Sequence, residues 1–132
     1  GTYALRRADG DFAAPGHPVL EGVDAFDGEG VSPVVVPEDT PAGVRSEIIV
    51  RAKPGARTRN NDGEPSVNNG RGSSRVVGQR DAALAIGRFG RGAFAVHFDR
   101  NTFFNAGGQG TDITRLDNRR LALNLIGYLA AP

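Results

Sequence analysis

Leu121, Leu125 and Leu129 recur every four residues near the end of the chain, and Ala122 and Ile126 widen the apolar face they form. That spacing stacks the side chains on one stripe of an α-helix. Asp117, just ahead of the run, is a residue type that caps helix N-termini by accepting a backbone N–H. Arg119 and Arg120 fall on the first turn, where cations oppose the helix dipole, which is either a small cost or a sign that they meet an anion or Asp117. Upstream, residues 82–87 are a short continuous apolar run and read as a strand. Residues 87–92, rich in glycine, make a tight turn, and residues 93–98 form the hairpin partner or neighbour. Residues 89–131 are therefore expected to form one α/β unit: a buried strand, a polar loop and a closing amphipathic helix.

The first half of the chain is less regular. Residues 46–52, with β-branched Ile48, Ile49 and Val50 at their centre, read as a strand ended by Lys53-Pro54-Gly55. Val34, Val35 and Val36 are β-branched, but Pro33 and Pro37 bracket them, which favours an exposed edge strand. Residues 19–23 read as one helical turn or a short strand, and residues 1–18 as an extended, polar lead-in. Residues 54–75 hold one apolar side chain larger than Ala, Val67, too little to offset the entropy of ordering them. They read as a long surface loop, which is either functional or disordered. The pattern predicts a β-rich α/β fold: a small sheet with the C-terminal amphipathic helix packed on it and a long central loop. Residues 1–132 are either a single domain or the C-terminal fragment of a larger one. With no methionine at all, the chain is expected to be processed, tagged or cut from a longer protein.

Composition removes several chemistries. No cysteine is present, which excludes disulfides, thiolate nucleophiles and cysteine-based zinc sites. A net charge of +1 exerts no general pull toward nucleic acid or membrane, and no apolar run approaches the ~18 residues of a membrane span. Arg57, Arg59, Arg71 and Arg75 make the long loop basic, but Asp62 and Glu64 dilute it and no aromatic is interleaved for base stacking, so no nucleic-acid partner is expected. Lys53 is the sole lysine among 16 basic residues, and this Arg-, Ala- and Gly-rich usage is read as that expected of a GC-rich genome, with a bacterial source the expectation.

One loop concentrates candidate chemistry. The strand at 93–98 runs into Asp99-Arg100-Asn101-Thr102-Phe103-Phe104-Asn105 and on to Thr111-Asp112. In open α/β sheets ligands sit beyond the carboxyl ends of strands. A functional reading makes Asp99 a base or metal ligand, supported by His97 or Arg100, with Arg100 as an anion clamp. Asn101, Asn105, Thr111 and Asp112 then complete a ligand-binding surface. A structural reading has Asp99 and Asn101 satisfying loop backbone groups through Asx-turns while Phe103 and Phe104 anchor the loop. Asp99-x-Asn101 begins like a calcium loop, but Phe103 and Phe104 occupy the third ligand and turn-glycine positions of an EF-hand. A calcium site of another kind, from Asp99, Asn101, Asn105 and Asp112, stays open; no other cofactor is indicated. His17 and His97 are the only histidines, no Gly-x-Ser-x-Gly elbow exists, and a histidine zinc site is undersupplied. His97, inside an apolar strand, reads as a structural imidazole, and His17 as a local hydrogen-bonder in its turn.

Three segments resemble a known family. Residues 16–23, Gly-His-Pro-Val-Leu-Glu-Gly-Val, resemble the "HP-x-x-x-G-V" segment of class I glutamine amidotransferase-like domains of unassigned activity. Gly90-Arg91-Gly92 with its strand and Asp99 resembles their "G-[KR]-G-R-strand-D" segment. Asp117-Asn118 leading into Leu121–Leu129 resembles their closing "D-N-…-L-N-L-…-L" helix. The resemblance covers the two ends and not the middle. It implies a flavodoxin-like fold with a parallel sheet, of which this chain supplies the later part. Catalytic members of the superfamily use a cysteine that is missing here, so amidotransferase chemistry is not implied for any residue. Relatives lacking that cysteine sit beside carbohydrate-active or cell-envelope modules. The expectation is a non-catalytic accessory module that binds a carbohydrate or partner chain, secreted or extracellular, with oligomerisation open. Two alternatives stand beside it: a small hydrolase or lyase using Asp99 with His97 or Arg100, and a self-assembling structural protein that pairs through an exposed edge strand at Val34–Val36.

Overall fold

The computed structural model describes residues 2–29, 31–56, 76–105 and 110–131. Most of the predicted long loop, residues 57–75, lies outside the described residues. Two small antiparallel sheets and a C-terminal helix make a β-rich α/β fold. The first sheet pairs β1 (Thr2–Arg6) with β2 (Ala25–Glu29). The second is built on β5 (Asp81–Phe89), with β4 (Val44–Arg51) along one edge. Its other edge is shared end to end by β3 (Val34–Val35) and β6 (Gly92–His97). Every described pairing is antiparallel, so the parallel sheet implied by the resemblance is not formed among these residues.

β5 and β6 form the expected hairpin, closed by Gly90-Arg91 between the paired Phe89 and Gly92. Gly90 has φ +57°, which suits the first position of the two-residue turns whose twist matches antiparallel strands. The buried strand of this unit is β5, enclosed from Asp81 to Gly87; β6 is the half-exposed neighbour, not the buried strand expected at 93–98. Gly87 is required where it stands, since a Cβ there would overlap the Arg45 carbonyl and the Phe94 ring.

The lead-in is not merely polar and extended. It contains β1 and a 3₁₀ turn (Arg7–Asp9), and it contributes Leu5 and Phe12 to the core. Residues 18–20 form a second 3₁₀ turn, whose His17 accepts a hydrogen bond from Val19 N at its imidazole Nδ1. Arg7 holds this region together. Its guanidinium donates to the carbonyls of Pro15, Leu20 and Val23 at 2.8–3.2 Å and lies over the Phe12 ring. The core joins Leu5 and Phe26 of the first sheet to Ile49, Val50, Leu84 and Ile86 of the second and to Leu121 and Leu125 of the helix.

The helix, α1 (Asn118–Ala130), turns a stripe inward that differs from the leucine count. Asn118, Leu121 and Leu125 are buried and Tyr128 packs on the core, whereas Ile126 and Leu129 face solvent at 64% and 44% exposure. Asp117 occupies the N-cap but makes no side-chain cap. Its carboxylate reaches across to the backbone N–H groups of Asp24 and Ala25 instead. Val34 and Val35 do form an extended pair, but it is bonded to β5 and only two residues long, with Val36 buried beside it.

Candidate functional site

A strand has two edges, and β1 occupies only one edge of β2. Buried backbone groups left unpaired cost free energy, so the outer edge of β2 needs partners. Ala25, Asp27 and Glu29 present their N–H and C=O groups there, and residues 99–118 satisfy them without forming a strand. Ala25 N–H donates to the Asp117 carboxylate and Ala25 C=O accepts from Asp117 N–H. Asp27 N–H donates to Asn118 Oδ1 at 3.0 Å, and Asp27 C=O accepts from the Thr102 hydroxyl at 2.7 Å. Glu29 N–H donates to Asp99 Oδ2 at 2.6 Å, and Glu29 C=O accepts from Asn101 Nδ2.

Asp99 therefore has both oxygens engaged: Oδ2 with Glu29 N–H and Oδ1 with Asn101 N–H at 3.1 Å, an Asx-turn. His97, the last residue of β6, lies two residues back, with Nδ1 2.6 Å from the Asp99 carbonyl. Its ring packs against Phe26, Phe98 and Phe103 at centroid distances of 4.8–5.7 Å. Burial pushes its pKa down to about 4, against a smaller upward pull from the Asp99 carbonyl and charge. Nε2 is enclosed without a hydrogen-bond partner among the described residues.

Beneath this edge lies a buried polar cluster whose members, Thr111 and Asp112 apart, escape a reading of the sequence. Asp27 is fully buried and its carboxylate accepts from Thr111 Oγ1, Asn118 Nδ2 and, at 3.0 Å, Arg115 Nε. Asn118 Nδ2 also donates to the Asp112 carbonyl. The buried side-chain polar atoms of Asp27, Thr111 and Asn118 thus all find partners, as burial requires. The available signal was Asn118, a polar residue at an inward register of an amphipathic helix. Glu29, next along β2, has Oε2 buried without a partner among the described residues; Gly110 makes room for it, since a Cβ there would come within 2.8–2.9 Å of the carboxyl group.

The seven residues singled out in the loop thus divide. Asp99, Asn101 and His97 are brought together around the end of β2 as backbone partners. Thr111 is buried in the Asp27 cluster. Asp112 accepts from Thr114 N–H and Oγ1 at 2.6–2.7 Å. Arg100 and Asn105 face solvent, and Arg100 sits 5.9 Å above the ring of exposed Phe104. Among the described residues no group of three or more His, Asp or Glu side chains could hold a metal. The Asp99 carboxylate accepts from Glu29 and Asn101 N–H, and that of Asp112 from Thr114. Elsewhere, a polar cleft of about 460 Å³ is lined by Asp9, Asp11, Arg51, Lys53 and Gln79, with Lys53 Nζ bridging Asp11 at 2.7 Å and Asp9 at 3.3 Å. No helix among the described residues is long and apolar enough to cross a membrane. Compared with known proteins, the chain matches no family's sequence model, no curated protein and no solved structure.

Proposed function

We propose that the chain is a non-catalytic accessory module that binds a ligand or partner chain, with a carbohydrate of the cell envelope as the ligand class. One observation carries this reading: in this loop Asp99 and His97, the groups read as a base and its support, are spent on backbone, while the same loop turns Arg100, Phe104 and Asn105 outward. To act as a base, Asp99 would have to give up two N–H donors, and His97 would have to gain a proton inside an aromatic cage. An exposed aromatic ring offers its face to the C–H groups of a sugar, and a guanidinium and an amide beside it suit hydroxyl or carboxylate groups. An extracellular location accompanies this reading.

The resemblance to amidotransferase-like domains belongs to the same proposal. In its support, two of the segments that carry it pack together: Asn124 Nδ2 donates to the carbonyls of Val19 and Glu21, and the His17 ring meets Tyr128 edge-on. The test is a two-dimensional NMR titration of the protein with soluble peptidoglycan fragments and chito-oligosaccharides. Shifts clustered at residues 100–105, lost in Phe104→Ala and Arg100→Ala variants of unchanged melting temperature, are the expected result. Unmoved spectra across the panel would sink the proposal, as would Asp99-dependent turnover of any of these glycans.

A further inference from the structure

Among the described residues the outer edge of β4 is open over half its length. The two-residue turn makes Phe89 and Gly92 a hydrogen-bonded pair, and bonding alternates from there. Arg45 and Glu47, opposite Arg88 and Ile86, then bond inward to β5, while Val44, Ser46 and Ile48 point their backbone groups outward. From Ile49 onward the edge is closed by residues 11–14: Phe12 bridges Val50, and Ala13 and Ala14 N–H donate to Ile49 C=O. At the other end Val44 is tied to Pro41 and Thr40. Among the described residues nothing pairs with Ser46 or Ile48 on this side.

We propose that this edge pairs with the same edge of a second copy of the chain, antiparallel, about a two-fold axis at Ser46. That register is self-complementary on both faces of the sheet. On one face exposed Arg45 stands opposite Glu47 of the second copy, and Glu47 opposite its Arg45, in the closely spaced non-bonded pairs where side chains approach most. On the other face Val44 stands opposite Ile48 of the second copy, twice, with Ser46 opposite Ser46. That face is already apolar and incompletely covered: Val44 and Ile48 are half-buried, and Phe89, the partner of Val44 across β5, is 65% exposed. Four backbone bonds form, two between the Ser46 residues and one from each Ile48 N–H to the second lone pair of the opposing Val44 carbonyl. Because β4 begins at Val44, the second copy's strand ends before it meets residues 11–14. A one-residue slip would set Arg45 against Ser46 and Val44 against Glu47, losing both complementarities. An isologous pair of this kind closes at two copies. It joins the sheets into one along β4, on the side of β5 opposite β6, from which the loop of the proposed ligand reading continues.

Sedimentation velocity on the full chain from about 5 to 500 μM reads the result. The expected outcome is twice the chain mass at the upper concentrations. Glu47→Arg, which places arginine against arginine twice, should weaken the dimer roughly tenfold, as should Arg45→Glu. The double variant R45E/E47R, with the pairs exchanged, should return it to within about threefold of the original. Ser46→Pro removes an outward N–H that β5 does not use and should abolish the dimer while leaving circular dichroism unchanged. A chain monomeric at every concentration would overturn the proposal. So would a dimer indifferent to the single reversals and to Ser46→Pro, or one that the double exchange fails to restore.

Discussion

Protonating His97 means placing a cation among three phenylalanine rings, with the Asp99 carbonyl as its one hydrogen-bond acceptor among the described residues. In the unfolded chain the same imidazole takes a proton near pH 6.5 without that cost. The folded value lies lower, at about 4, so the unfolded state binds the extra proton throughout the interval between the two. Stability from this residue is therefore fully present above pH 6.5 and is lost as pH falls toward 4, to a total of roughly 3 kcal/mol. Urea midpoints at pH 7, 5.5 and 4 should fall more steeply for the native chain than for His97→Gln; parallel slopes would refute the assignment. Asn118 is the second residue on which much depends, because it both accepts from Asp27 N–H and donates to the Asp27 carboxylate. Asn118→Leu keeps the volume but leaves a buried carboxylate short of donors. It should cost about 2–4 kcal/mol by urea denaturation, far more than an exposed change such as Arg119→Ala.

Elements differ in how far their own sequence decides them. The β5–β6 hairpin was legible because a continuous apolar run, a glycine turn and a second run are all local signals. The helix was legible too, but not its rotation. Counting leucines selects Leu129, whereas the inward positions run through Asn118, Leu121, Leu125 and Tyr128. Leu121→Ala should accordingly cost about 2–5 kcal/mol and Ile126→Ala no more than about 0.5, in thermal or urea denaturation; a larger cost at Ile126 would mean the helix faces the other way. β2 was not legible at all. Ala25-Phe26-Asp27-Gly28-Glu29 has two acids and a glycine where strands favour β-branched and aromatic residues. It is extended because side chains 70–92 residues away complete its edge, and no local pattern carries that information. For the same reason the polar loop could be picked out as a site while its chief structural task could not.

Across the whole molecule, two sheets that share no backbone pairing are held as one body by a common core and by the polar loop between them. β5 is the centre of that body, paired on both edges and buried through seven consecutive residues, so its amides should open only with the whole chain. β2 is different: it leans on β1 along one side and on isolated side chains along the other. Removing a single such side chain should loosen one end of β2 without unravelling β5. In Asp99→Ala the amides of Glu29 and Asn101 lose their acceptor. Native-state hydrogen exchange should then show these two protons accelerated by about tenfold or more beyond the global change, with Leu84 and Ile86 slowed or quickened only by the shift in overall stability. If β5 amides accelerated as much as Glu29, the loop would be part of the global folding unit and not a local support. If neither responded, the carboxylate would be dispensable to the β2 edge, and Asp99 would be released for the chemistry that its two hydrogen bonds argue against.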